Sequence, residues 1–62
     1  GDWRPVGGRV IELRIDHGPG YRIYAAQVGI TVILLLCAGD KGTQQRDVEI
    51  AHAYWKDYQG RR

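Results

Sequence analysis

The most apolar stretch of the chain reads ITVILLLCA at residues 30–38. A continuous apolar run of this length indicates a strand that is covered on both faces of a sheet. It is too short to cross a bilayer, which takes roughly 20 residues. We place the strand at residues 30–37, with Leu34 and Leu36 on one face and Ile33 and Leu35 on the other. Both faces of the sheet are therefore expected to need cover.

Two further strands are predicted upstream of this run. Residues 9–16 alternate strictly, so that Ile11, Leu13 and Ile15 share one side, which is the period of a half-buried strand. Residues 21–27 are rich in aromatic and β-branched side chains and predict a second strand. HGPG at 17–20 and VG at 28–29 are turns by composition. Residues 1–8 carry three glycines and a proline and indicate an irregular lead-in, with Trp3 folding back onto the sheet.

The periodicity changes after residue 38. GDKG at 39–42 is expected to break the strand, and Thr43 can cap a helix. The helix is predicted over residues 44–58 from apolar side chains at spacings of three and four: Val48, Ala51, Trp55 and Tyr58. At this spacing the aromatic side chains, Tyr54 included, are expected in the core.

These elements predict a single α+β domain spanning residues 1–62. It is a three-stranded antiparallel β-meander followed by a C-terminal helix, in the order β-β-β-α. One helix can cover only one face of such a sheet, and an uncovered apolar face is a liability. We therefore expect a partner, a second copy of the chain or a further segment on the other face.

Composition narrows the class of function. Nine Lys and Arg against seven Asp and Glu give a net charge of +2, which permits nucleic-acid binding. Seven of the nine cations are arginines, whose planar fork matches phosphate oxygens. Cys37 is the only cysteine, which excludes an intrachain disulfide, and with two histidines it leaves no metal-ligand spacing. We expect no metal, no cofactor and no membrane association, and the cysteine usage favours a cytoplasmic protein.

The order of the motifs resembles a known family. The motifs are ELRI at 12–15, GPGYRIY at 18–24, LLLCAGDK at 34–41, TQ at 43–44 and AYW at 53–55. In this order and spacing they resemble the RelE/ParE superfamily, and within it the HigB-like "addiction module killer" branch, over residues 5–58. The resemblance implies the β-β-β-α portion of a RelE-like toxin domain that lacks the family's N-terminal pair of helices.

The resemblance also implies a function. RelE-like proteins are toxins of type II toxin–antitoxin systems, and most are mRNA endonucleases (mRNA interferases) that inhibit translation and are neutralised by a cognate antitoxin. The implied activity is a metal-independent endoribonuclease, with mRNA, on the ribosome in many members, and an antitoxin as partners. The alternatives are a non-enzymatic, ParE-like poison of DNA gyrase, a truncated remnant that binds antitoxin, and a basic nucleic-acid module unrelated to toxins.

Four residues are the candidates for this chemistry. Cleavage without a metal needs a positioned RNA chain, a neutralised phosphorane charge and two proton transfers. By resemblance, Arg22 is the catalytic arginine that follows Gly-Tyr, and Lys41 is the basic residue near the scissile phosphate. Arg14, on the strand paired with that of Arg22, is expected to bind substrate phosphate with these two. Histidine is the side chain that most often transfers protons near neutral pH, and His17 is therefore the candidate general acid or base.

Each candidate has a structural alternative. Arg22 could pair with Glu12 or Asp16 on the sheet surface, and Arg14 could form an exposed cross-strand ion pair that contributes little. The other two could be solvated loop residues: Lys41 and His17.

The chain also departs from the ribosome-dependent type member of the family. Val10 and Glu12 stand where that member has lysines on the first meander strand. Asp47 or Val48 stands where it has a helix tyrosine. His52, in the middle of the predicted helix, is expected to flank the packing stripe.

Overall fold

The computed structural model describes residues 2–30 and 32–61. These residues form an α+β structure with one antiparallel sheet in the order β1-β2-β3-β4, followed by a helical segment. The elements are β1 (Trp3–Pro5), β2 (Val10–Ile15), β3 (Tyr21–Val28), β4 (Val32–Asp40), a 3-10 turn (Lys41–Thr43) and α1 (Gln44–Gly60). The predicted α+β class and C-terminal helix are confirmed. Within the described ranges, no helix has the length and apolarity needed to cross a membrane.

The sheet has four strands where the sequence predicted three. The additional strand, β1, lies in the predicted irregular lead-in and pairs with β2, where Trp3 lies opposite Leu13 and Pro5 opposite Ile11. The prediction that Trp3 folds back onto the sheet is confirmed, and Gly1 lies outside the described residues. A strand of three exposed residues that ends in proline has no periodicity to reveal it. The proline is tolerated because β1 is an edge strand.

The last strand, β4, is longer than predicted and carries a bulge. It starts at Val32 and continues through the predicted break to Asp40, while residue 31 lies outside the described residues. Ala25 pairs with Leu35 but Tyr24 pairs with Cys37, so the register shifts by one residue at this point. The bulge lets both residues that follow Leu35 pack against the core beneath α1: Leu36 and Cys37.

The start of the helical segment is capped by Asp40 and not, as predicted, by Thr43. The Asp40 carboxylate accepts hydrogen bonds from the N–H groups of Gly42 at 2.8 Å and Thr43 at 3.1 Å. Thr43 makes no side-chain cap bond to α1, and its hydroxyl donates instead to Asp47. Because Asp40 is the last residue of β4, the chain passes from strand to helix without a loop. The capping carboxylate also occupies N–H groups that would otherwise attract an external anion.

The apolar stripe predicted on α1 is confirmed. Ala51 and Trp55 are buried, Val48 and Tyr58 pack against the same cluster, and the rings of Trp55 and Tyr58 stack with their centroids 5.7 Å apart. The prediction that Tyr54 is a core residue is wrong, because its side chain is 55% exposed. One residue along a helix turns the side chain by about 100°, which takes Tyr54 off the stripe.

The helix covers one face of the sheet and leaves the other open, as predicted. The covered face carries Val10, Tyr24 and Ala26 under Ala51 and Trp55. The uncovered face, called here the open face, presents exposed large apolar side chains: Trp3, Ile15, Tyr21, Ile33 and Leu35. The open face also carries the alternating apolar residues of β2, which are Ile11, Leu13 and Ile15. Val10 and Glu12 point to the helix instead. The helix therefore covers the face of β2 that carries Val10 and Glu12, although the opposite face of this strand is the more apolar one in the sequence.

The open face leads to a prediction about self-association. Leu35 is 68% exposed there, whereas Leu34 packs against the core on the helix side. Leu35→Lys is expected to lower the sedimentation coefficient toward that of a 7.0 kDa monomer. At dilutions where both proteins are monomeric, its free energy of unfolding should differ from that of the wild type by no more than about 0.5 kcal/mol, as for other surface substitutions. The matched control Leu34→Lys should destabilise by about 2 kcal/mol or more, because it buries a charge. Wild-type chain that sediments as a monomer at micromolar concentrations would contradict this prediction.

Candidate functional site

A cavity of about 270 Å³ lies at the end of the sheet where β2 ends, β3 begins and β4 meets the 3-10 turn. Its lining includes Arg14, Arg22 and Lys41, which are three of the four candidates from the sequence. Two carboxylates, Asp2 and Asp16, line it as well. The ionic lining is therefore three cations against two anions. We refer to it as the basic cavity.

Backbone pairing brings the three cations together. Arg14 and Arg22 are direct cross-strand partners on β2 and β3. The backbone N–H of Lys41 donates to the carbonyl of Gly20 at 3.2 Å, which ties the end of β4 to the start of β3. Like charges directly opposite one another destabilise a sheet. A bound anion would relieve that repulsion.

His17, the fourth candidate, lies outside the lining of the basic cavity. It sits exposed in the turn between β2 and β3, where its backbone N–H donates to Ile15 O at 3.0 Å and its carbonyl accepts from Gly20 N–H at 3.1 Å. Its neighbour Asp16 does line the cavity. The role of His17 as a general acid or base stays a prediction.

A fully buried carboxylate, Glu12, lies next to the basic cavity on the helix side of the sheet. Its Oε2 accepts hydrogen bonds from Gln44 Nε2 at 2.8 Å and from the Tyr24 hydroxyl at 3.0 Å. Its Oε1 accepts from Arg4 Nε at 3.1 Å and lies 3.8 Å from Arg22 Nε. The donors come from β1, β3 and α1, so this carboxylate joins three elements of the fold.

The surroundings of Glu12 fix its protonation state. Burial by itself would raise the pKa of Glu12, but the hydrogen bonds from Gln44, Tyr24 and Arg4, together with the charge of Arg4, outweigh it and lower the pKa. The pKa of Tyr24 is raised, first by burial and then by its hydrogen bond to Glu12 and the charge of that carboxylate. Near neutral pH the pair is therefore an ionised Glu12 and a protonated Tyr24.

Arg22 retains unused hydrogen-bonding capacity. Its side chain is only 14% exposed, and its Nε and Nη1 are buried without a hydrogen-bond partner among the described residues. A buried donor left unsatisfied costs about 1–3 kcal/mol. The nearby charge of Glu12 attracts the guanidinium, but at 3.8 Å it makes no hydrogen bond.

The lowered pKa of Glu12 predicts an acid-dependent loss of stability. A carboxyl group whose pKa is lower in the folded than in the unfolded state stabilises the fold above its unfolded pKa, and this contribution is lost as the pH falls through the folded pKa. The free energy of unfolding should therefore fall as the pH is lowered below about 4.5, the ordinary value for a glutamate. Urea titrations at a series of pH values measure this slope. Glu12→Gln should make the free energy of unfolding less dependent on pH in this range. An equal slope in Glu12→Gln and in the wild type would show that Glu12 is not the group responsible.

The remaining reactive side chains have structural roles. The Cys37 thiol contacts the carbonyl of Asp47 at 3.4 Å, and burial followed by the charge of Asp47 raises its pKa, so it is a poor nucleophile. His52 Nε2 lies 2.9 Å from the carbonyl oxygen of Val6 and 3.2 Å from that of Gly7, which ties α1 to the β1–β2 connection. Among residues 2–30 and 32–61, no cluster of His, Cys, Asp and Glu is arranged to hold a metal ion.

Comparison with known proteins finds a relative that matches most of this chain. An uncharacterized protein of Haemophilus influenzae strain Rd is 45% identical over 51 residues, which make up 82% of this chain and 52% of that protein. The chain spans about half the length of this curated relative. No family model matches the chain, and no solved structure matches it. The name of this relative assigns no activity.

Two residues of the site were missed by reasoning from the sequence. Tyr21 lines the basic cavity, is 47% exposed and carries a hydroxyl that can donate a proton; its place beside Arg22 in GPGYR was an available signal. Glu12 was noted only as a possible partner of Arg22. Its bonds to Arg4 and Gln44 depend on β1 and on the docking of α1. No local sequence pattern contains that information.

Proposed function

We propose that the chain is part of a RelE/HigB-like toxin of a type II toxin–antitoxin system, and that its basic cavity binds the phosphate backbone of mRNA for cleavage. The observation that carries this proposal is the convergence of Arg14, Arg22 and Lys41 on one cavity. Arginine and lysine side chains are the usual ligands of RNA phosphates. The direct opposition of Arg14 and Arg22 also favours an anionic ligand, because it places two positive charges side by side.

The proposed reaction needs no metal. The 2′-oxygen of one nucleotide bonds to the adjacent phosphorus while the bond from phosphorus to the 5′-oxygen breaks. Arg22 and Lys41 stabilise the additional negative charge on the phosphorane, and Arg14 holds the chain in register. One proton leaves the 2′-hydroxyl and another reaches the departing 5′-oxygen. Two residues are the proposed proton carriers: Tyr21, which lines the cavity, and His17, which lies in the turn between β2 and β3 outside that lining.

The proposal includes a partner and a cellular place. A cytoplasmic toxin of this kind is held inactive by a cognate antitoxin, and the open face offers such a protein an apolar surface. Ile33 and Leu35 are 55% and 68% exposed on it. A hetero-complex with the antitoxin, or a homo-oligomer, would remove these side chains from water. Burial of apolar surface of this kind drives most protein association.

Cell-free translation with a labelled message tests the proposed activity. The wild-type chain should cut the message, and Arg22→Ala should lower the cleavage rate about 100-fold, as expected when one group that stabilises transition-state charge is removed. Arg61→Ala is the matched control, because Arg61 is exposed at the end of α1 and pairs only with Asp57 among the described residues. It removes the same charge far along the chain from the cavity and should leave the rate unchanged.

The same assay separates the alternatives. Intact message together with stalled gyrase–DNA complexes would replace the endonuclease by a gyrase poison. Intact message without an effect on gyrase would contradict both toxin activities. Equal loss of cleavage in Arg22→Ala and Arg61→Ala would show that net charge, and not the basic cavity, is responsible.

A further inference from the structure

The buried carboxylate of Glu12 is fixed more firmly than a simple counter-ion requires. Both of its oxygens accept hydrogen bonds, from Arg4, Tyr24 and Gln44, at 2.8 to 3.1 Å. These three donors belong to three different elements of the fold. The position of this negative charge is therefore set before any ligand arrives.

Arg22 lies beside this fixed charge but makes no hydrogen bond to it. Its Nε is 3.8 Å from Glu12 Oε1, which is within reach of electrostatic attraction but beyond a hydrogen bond. The guanidinium is thereby drawn to one place. Its Nε and Nη1 are buried, whereas Nη2 is not buried in this way and is the nitrogen that a ligand in the cavity can reach. Arg22 also lines the basic cavity, whereas Glu12 does not.

We propose that Glu12 is a positioning residue that holds the Arg22 guanidinium ready for an RNA phosphate in the basic cavity. The inference rests on the proposed function and adds a residue that does not itself touch the substrate. Its benefit is preorganisation, because an arginine already held in place loses less side-chain freedom when it binds phosphate.

The electrostatic alternative predicts an effect of the opposite sign. If Glu12 acted only through its charge, it would repel the phosphate, and its neutralisation would tighten RNA binding. If it positions Arg22, neutralisation should weaken RNA binding although it makes the protein more positive. A purely structural Glu12 would change the fraction of folded protein and leave the affinity of the folded protein as it was.

A double-mutant cycle distinguishes the electrostatic, positioning and purely structural roles of Glu12. The probe is a fluorescent single-stranded RNA with 2′-O-methyl groups, which cannot be cleaved, and the readout is binding anisotropy well below the unfolding midpoint of each variant. Arg22→Ala should weaken binding about tenfold. Glu12→Gln, which keeps the shape of the side chain, should weaken it about fivefold, and the double variant should bind no worse than Arg22→Ala alone.

The dependence of binding on salt gives a second readout that a structural role would not move. Loss of one phosphate contact to single-stranded RNA lowers the salt slope by about 0.7. Glu12→Gln should show this reduction, as Arg22→Ala does. The pair Glu12→Gln with Arg14→Ala is the control, and its two effects should multiply because Arg14 makes no hydrogen bond or ion pair to Glu12 in the described structure.

The outcomes separate the inference from the function on which it rests. An unchanged affinity in Arg22→Ala would overturn the proposed function, and the role of Glu12 with it. A loss in Arg22→Ala combined with unchanged or tighter binding in Glu12→Gln would overturn the role of Glu12 alone. If Glu12→Gln does not fold, Tyr24→Phe removes one hydrogen bond to Glu12 and leaves the charge in place. The effect of Tyr24→Phe on RNA affinity must then disappear when Arg22→Ala is also present. An effect on affinity that persists in the double variant overturns the inference.

Discussion

Glu12→Ala is expected to leave most of the chain unfolded at room temperature. The substitution removes the acceptor for Arg4, Tyr24 and Gln44 and leaves the half-buried charge of Arg22 without its nearest anion. Removal of one partner from a buried ion pair costs about 3–5 kcal/mol. A single core in a chain of this size rarely supplies more than about 3–5 kcal/mol in total. Urea denaturation followed by circular dichroism measures the difference.

Glu49→Ala provides the matched control. Glu49 is an exposed carboxylate on α1, so its removal should change the free energy of unfolding by no more than about 0.5 kcal/mol. Glu12→Gln should fall between the two, since an amide retains one oxygen that can accept from Tyr24 and Gln44. A Glu12→Ala protein as stable as the Glu49→Ala protein would show that the carboxylate does not tie the three elements together.

Gly39→Ala is the second substitution expected to have a large effect. A Cβ atom at Gly39 would meet the Asp47 carboxylate and lie 2.7 Å from both Asp47 Cγ and Thr43 Oγ1. Asp47 is only 3% exposed and receives the hydroxyl of Thr43, so it has little room to move away. Overpacking of this kind destabilises by about 1–3 kcal/mol. The free energy of unfolding from urea titration should fall by that amount.

Gly60→Ala is the control for this change. Gly60 is the last residue of α1, and a Cβ atom there would meet nothing within 4 Å. Alanine is a better helix former than glycine by up to about 1 kcal/mol, so this variant should be as stable as the wild type or slightly more stable. A Gly39→Ala protein that behaves like Gly60→Ala would mean that α1 does not approach β4 as closely as described.

The parts of the fold that sequence patterns predicted are those with a long, regular period. The alternation in β2, the apolar run of β4 and the stripe through Val48, Ala51, Trp55 and Tyr58 each extend over several residues, and each identifies its element. β1 has only three residues and exists through its pairing with β2. The bulge at Leu36 and the cap at Asp40 depend on register and on side-chain geometry. Neither the bulge nor the cap can be deduced from local periodicity.

One part of the candidate site could be predicted from the sequence and another part could not. The convergence of Arg14 and Arg22 follows from two strands joined by a short turn, and Lys41 joins them because β4 ends beside the start of β3. The burial of Glu12 could not be deduced, since a charged residue in an alternating strand normally faces water. It became apparent only with Arg4 and Gln44 in place.

The salt dependence of RNA binding by the wild-type chain tests the central claim most directly. Three phosphate contacts, made by Arg14, Arg22 and Lys41, predict that the logarithm of the binding constant falls with the logarithm of salt concentration with a slope of about −2. Alanine at all three positions should bring the slope close to zero, whereas Arg61→Ala should leave it near the wild-type value. A slope that is the same in the wild type and in the triple variant would contradict the claim that the basic cavity holds the RNA backbone.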